Sequence, residues 1–128
     1  MTAAIPNTRN KGFEIEKLAA DYLKSQNLEI LVQNFNCKMG EIDLICLEKD
    51  TVVFAEVRFR NTLLYGGPKG SITYLKQRKI IKTAQYFLKT KPKMADLPCR
   101  FDVLAVTLNA NEPNIEWIQN AFQATPWR

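Results

Sequence analysis

The chain of 128 residues carries a net charge of +5 and is 46% hydrophobic, enough for one domain with a real core and too apolar for a wholly disordered chain. It holds no histidine, which excludes histidine-based nucleophilic, acid–base and zinc chemistry. Any catalysis must use carboxylates, amines, hydroxyls or a bound metal.

Residues 1–9 read as a flexible tail, 10–122 as a single domain and 123–128 as a C-terminal tail. Thr8 or Asn10 is placed to cap a helix running to about Gln26, with Ile15, Leu18, Ala19, Tyr22 and Leu23 on its apolar face. Glu16 lies at the border of that face, one turn from Gly12, Ala19 and Ala20. Small neighbours leave its carboxylate room to approach a ligand; the alternative is a glutamate favoured by the helix dipole.

Leu28–Val32 reads as a first strand, and Asn34-Phe35 leads to a hairpin formed by 40–47 and 52–59. Alternation puts Ile42, Leu44, Cys46, Val53, Ala55, Val57 and Phe59 on one wholly apolar face. Burial of that face selects an even-length turn at 48–51, in which opposed residues have numbers summing to 99. Asp43 then faces Glu56, and Glu41 faces Arg58. Directly opposed carboxylates repel, and a cation between them removes the repulsion. Hard divalent ions such as magnesium prefer oxygen ligands of this kind.

Beyond Arg58, residues 60–68 form a loop marked by Gly66-Gly67-Pro68, either an ordinary connector or a segment able to move over a ligand. A second helix is expected from about Ser71 to Thr90, with Ile80, Ile81, Ala84, Phe87 and Leu88 inward. Residues 91–98 are a linker; 100–108 and 114–121 read as strands around an Asn109–Pro113 turn. The order α-β-β-β-α-β-β makes an α/β sandwich around a mixed sheet.

Charge is unevenly spread. Residues 60–93 contain no acidic side chain but nine basic ones, whereas residues 1–57 hold nine acidic and six basic. An acidic cluster beside a basic helix suits a polyanion such as nucleic acid, with Lys79, Lys82 and Arg78 contacting phosphates. The plainer reading is a solvated helix surface. Cys37, Cys46 and Cys99 have no close-pair spacing, so a disulfide framework and a zinc site are not expected, and a reducing cytoplasm is the simpler setting. No apolar run approaches the ~20 residues of a membrane span, and the N-terminus lacks signal-peptide features. Monomer and homodimer are both left open.

Taken together, Gly12, Glu16, Ala19 and Tyr22-Leu23, then Asn34-Phe35, Gly40-Glu41-Ile42-Asp43-Leu44-Ile45, Phe54, Glu56-Val57 and Arg60, then Lys76, Ala84, Arg100-Phe101-Asp102-Val103 and Ala121-Phe122 resemble the YraN-type family of small bacterial endonuclease-like proteins. The resemblance implies a restriction-endonuclease-like three-layer sandwich of the PD-(D/E)xK superfamily, similar to Holliday-junction resolvases. It implies a metal-dependent endonuclease acting on branched or damaged DNA. Asp43 and Glu56 would be the metal-binding carboxylates for magnesium or manganese, with Glu16 as an additional ligand. Asp102 takes a supporting role or, more simply, a salt bridge with Arg100.

Arg58 departs from the motif, which calls for lysine two residues after the glutamate. Arginine stays charged and cannot act as a base, although it can hold a phosphate through two hydrogen bonds. Lys76 is placed to supply the missing ammonium, and Arg60 adds charge toward DNA. Three readings follow: a nuclease, a nuclease fold that binds nucleic acid without cutting it, and an adaptor whose basic helix meets an acidic protein.

Overall fold

The computed structural model describes residues 8–60, 72–109 and 112–124, with side chains described for 14–59, 72–108 and 112–124. The terminal tails before residue 8 and after 124, the Gly66-Gly67-Pro68 loop and the expected helix start at Ser71 lie outside the described residues. Helix α1 spans Thr8–Ser25. Strands β1 (Glu29–Cys37), β2 (Gly40–Glu48) and β3 (Thr51–Arg60) follow. Then come α2 (Tyr74–Lys89), a 3-10 turn at Pro92–Met94, β4 (Cys99–Asn109) and β5 (Glu112–Phe122).

The strands form one mixed sheet in the order β1-β2-β3-β4-β5. Three neighbouring pairs are antiparallel, and β3 and β4 run parallel. The parallel step requires a crossover, and α2 supplies it. The two faces of the sheet are covered by different helices, which makes three layers. Ala19, Ala20 and Leu23 of α1 pack on Leu44, Cys46, Val53, Ala55 and Leu104. Ile80, Ala84, Phe87 and Leu88 of α2 pack on Ile45, Val52, Phe54, Phe101 and Val103. Aromatic rings stiffen the second layer: Phe101 stacks on Phe54 and Phe122, and Phe87 meets Phe35 and Phe54 edge to face.

The hairpin of β2 and β3 has the expected register: Leu44↔Ala55, Ile45↔Phe54, Cys46↔Val53, Leu47↔Val52 and Glu48↔Thr51, each summing to 99. A two-residue turn, with Lys49 at φ 53°, closes it. The pairing stops at Leu44 and Ala55, so Asp43 and Glu56 are not ladder partners, nor are Glu41 and Arg58; Glu41 pairs with Asn36 of β1. The wholly apolar face also needs correcting. Ile42 joins the core under α2, opposite to Leu44 and Cys46, and Phe59 is 39% exposed. The cause is a kink. Asn34 of β1 takes a left-handed φ of 54° between the pairs Gln33↔Leu44 and Phe35↔Ile42, directly across from Asp43. Beyond it Phe35 and Ile42 both turn toward α2, so strict alternation fails at this point.

Gly40 opens β2 at φ 151°, where a Cβ would stand 3.1 Å from Thr83 Oγ1. The missing side chain lets β2 approach α2 closely. Thr83 is itself fully buried and donates to the Lys79 carbonyl at 2.7 Å. β1 is longer than the sequence pattern indicates, since Asn34 and Phe35 lie inside the strand instead of after it.

Candidate functional site

The site lies where β2 parts from β3. Asp43 Oδ2 accepts the Val57 backbone N–H at 2.8 Å. Backbone N–H groups of a central strand point along the sheet toward the neighbouring strand. The Asp43 carboxylate therefore lies between the parting strands, in the place of a ladder carbonyl.

Glu56 precedes Val57 and is 7% exposed. Burial first, and then the negative charge of Asp43, push its carboxyl up to about 7, against a downward pull from Lys76. Hydrogen bonding toward Asp43 adds, as the smallest cause, to the upward shift. Lys76 Nζ lies 2.5 Å from Glu56 Oε2. The position of Lys76 is set by a cap: Thr73 Oγ1 accepts the Lys76 N–H at 3.2 Å, and the Thr73 carbonyl accepts the Gln77 N–H at 2.9 Å. Gln77 Nε2 closes the turn on the Ile72 carbonyl at 2.8 Å. Lys76 thus leaves the first turn of α2 toward β3, although that turn holds no acidic residue to complement the helix dipole. Glu56 supplies the negative charge from the sheet instead.

Glu16 comes from α1, on the other side of the sheet. Burial raises its pKa, a hydrogen bond with the Asn34 side chain opposes the rise, and the charges of Asp43 and Glu41 add to it. The kink residue Asn34 is thus also a polar neighbour of the carboxylates. Asparagine tolerates the left-handed backbone region, but its frequency in ordinary loops hides this role in the sequence. Glu16, Asp43 and Glu56 are drawn from α1, β2 and β3, with Asp43 acting on both of the others.

The remaining candidates divide. Arg58 is half-buried on β3, in register with Ala105 and two residues beyond Glu56. Arg78, Lys79 and Lys82 are exposed on α2, with Tyr74 69% exposed at its start. Arg60 ends β3, and its side chain lies outside the described ones. Asp102 belongs to a different place. It is fully buried and accepts from Arg100 Nε at 3.1 Å, Trp117 Nε1 at 2.9 Å and the Asn120 N–H at 2.9 Å. Arg100 also donates to Glu48 at 2.6 Å, so Asp102 locks β4 to β5 and the hairpin. Burial, and then Asp102, push the Cys46 thiol up to about 12, which makes it inert.

Among the described residues, no three Asp, Glu or Cys side chains are gathered into a ready metal cage. Two oxygens of the carboxylate group are already engaged, Asp43 Oδ2 by Val57 and Glu56 Oε2 by Lys76. No helix among the described residues is long and apolar enough to cross a membrane.

Comparison with known proteins supplies the family. The family described as Uncharacterised protein family UPF0102 matches residues 15–106. A UPF0102 protein of Psychromonas ingrahamii is 48% identical over 117 residues, covering 91% of this chain and 92% of the relative. One from Saccharophagus degradans is 49% identical over 111 residues, covering 87% and 91%. One from Nitrosomonas europaea is 48% identical over 113 residues, covering 88% and 93%. The matched span contains Glu16, Asp43, Glu56, Arg58 and Lys76, and the chain belongs to the UPF0102 family.

Proposed function

We propose that this protein is a divalent-metal-dependent nuclease acting on DNA. The observation that carries the reading is that Asp43 Oδ2 accepts the N–H of Val57, the residue after buried Glu56, in the gap between β2 and β3, with the charge of Asp43 raising the Glu56 pKa. Perturbed carboxylates of this kind cluster at functional sites. The resemblance to YraN-type and PD-(D/E)xK nucleases supports the same assignment. Asp43 Oδ1 and Glu56 Oε1 are hard oxygen donors, and magnesium commonly takes one or two protein carboxylates and keeps several waters. The residues therefore fit magnesium or manganese, with Glu16 holding a ligand water. When bound, the metal supplies an activated water and neutralises charge on the phosphate. Arg58 grips a phosphate in two hydrogen bonds, and Arg78, Lys79 and Lys82 hold the flanking backbone.

A second reading is a nuclease fold that binds DNA without cutting it. The pairing of Lys76 with Glu56, and arginine in place of the motif lysine, favour it. Cleavage of linear, flapped and four-way DNAs with magnesium or manganese separates the two, with Asp43→Asn as blank. Metal-dependent cleavage lost in the blank supports the nuclease. DNA bound and left intact supports the binding module.

A further inference from the structure

We infer that Lys76 is a positioning residue that competes with a divalent cation for Glu56 and passes to a phosphate when the cation binds, so that metal and DNA bind cooperatively. The inference rests on the proposed metal site and adds a coupling to it. Three observations carry it. Lys76 Nζ sits on Glu56 Oε2, so its charge already neutralises the carboxylate whose other oxygen, Oε1, is the one offered to a metal. The Glu56 side chain is 8% exposed, whereas that of Lys76 is 48% exposed, so the ammonium can leave toward solvent and the carboxylate cannot. The Thr73 cap fixes the base of Lys76 while its four-carbon stem stays free to swing.

A cation that neutralises Glu56 removes the reason for Lys76 to stay. The released ammonium then stands beside the same carboxylates, where a DNA phosphate would lie. Each ligand thereby favours the other, and such coupling is reciprocal. The arrangement also gives Arg58 a complement: arginine holds a phosphate as a fork, and Lys76 provides the mobile point charge that the motif lysine would have carried.

Manganese binding at pH 8, followed by calorimetry with no DNA present, tests this directly. Lys76→Met should bind manganese about tenfold more tightly than the wild type, the loss of a charge-assisted hydrogen bond being of that order. Lys76→Arg, which keeps a cation on Glu56, should stay close to wild type, and so should Lys24→Met, which removes a positive charge on α1. Thermal melts of each variant confirm folding. Adding a short duplex should tighten manganese binding in the wild type and do so less in Lys76→Met. Equal manganese affinity in wild type and Lys76→Met overturns the competition while leaving the metal site standing. No manganese binding by either protein overturns the metal site and the competition together.

Discussion

Asp43 Oδ2 and the Val57 N–H, 2.8 Å apart, join a side chain of β2 to the backbone of β3 at the point where the strands stop pairing. The same carboxylate therefore has a structural role beside its proposed one at the metal, and the two can be separated. Asp43→Ala leaves the Val57 amide without its acceptor and should cost about 1–3 kcal/mol. Asp43→Asn keeps an oxygen acceptor and should lose much less stability. Both variants should abolish manganese binding. Urea denaturation and calorimetry on the pair check this, and an Asn variant that still binds manganese would remove Asp43 from the site.

Glu56 gives the protein an unusual pH dependence. Its carboxyl titrates near 7 when folded and near 4.5 when unfolded. Between those values the folded state holds more protons than the unfolded one. Stability from this group is therefore greatest at the acid end of the window and is lost as pH rises through about 7. Glu16 shifts in the same direction and adds to the slope. Glu56→Gln should flatten the difference in urea midpoint between pH 5 and pH 8. An unchanged slope in that variant would show that Glu56 is not the group responsible.

The basic face of α2 should bind DNA through phosphates. Lys79 and Lys82 are exposed one turn apart within the acid-free run. Changing both to glutamate should weaken binding similarly for unrelated sequences. It should also reduce the salt slope by about 1 for each phosphate that is no longer neutralised. Fluorescence anisotropy at several salt concentrations measures both, and an unchanged slope would leave the face merely solvated.

Arg58 tests how catalysis is shared. A general base contributes about 100- to 10,000-fold, and arginine cannot act as one. Because Lys76 already brings an ammonium to Glu56, Arg58→Lys should change metal-dependent cleavage by less than about tenfold. A much larger gain would mean that the motif lysine was the missing group and that Lys76 does not replace it.

Asp102 separates folding from function. Removing one partner of a buried, hydrogen-bonded ion pair typically costs about 3–5 kcal/mol. Asp102→Asn should therefore destabilise the fold strongly, because Arg100, Trp117 and Asn120 all donate to that carboxylate. Manganese and DNA affinity of the folded fraction should stay unchanged. A selective loss of manganese binding would place Asp102 in the site after all.

Much of this was legible in the sequence because it depends on local periodicity. The order of elements follows from runs of period 2 and 3.6, and the hairpin register follows from which face must be buried. Glu56, Arg58 and the acid-free basic run are positions along the chain, and the chain displays them directly. Tertiary structure decided the rest. Alternation could not show that Asn34 enters the left-handed region across from Asp43, because asparagine is also common in ordinary loops. At that kink Ile42 turns to the α2 side, and the ladder of β2 with β3 stops short of Asp43 and Glu56. The meeting of Glu56 with Lys76 spans 20 residues and depends on where the crossover helix lands, which no local spacing encodes. The location of Asp102 was equally non-local: its partners Trp117 and Asn120 come from β5, and only the packed sheet brings them to one buried carboxylate.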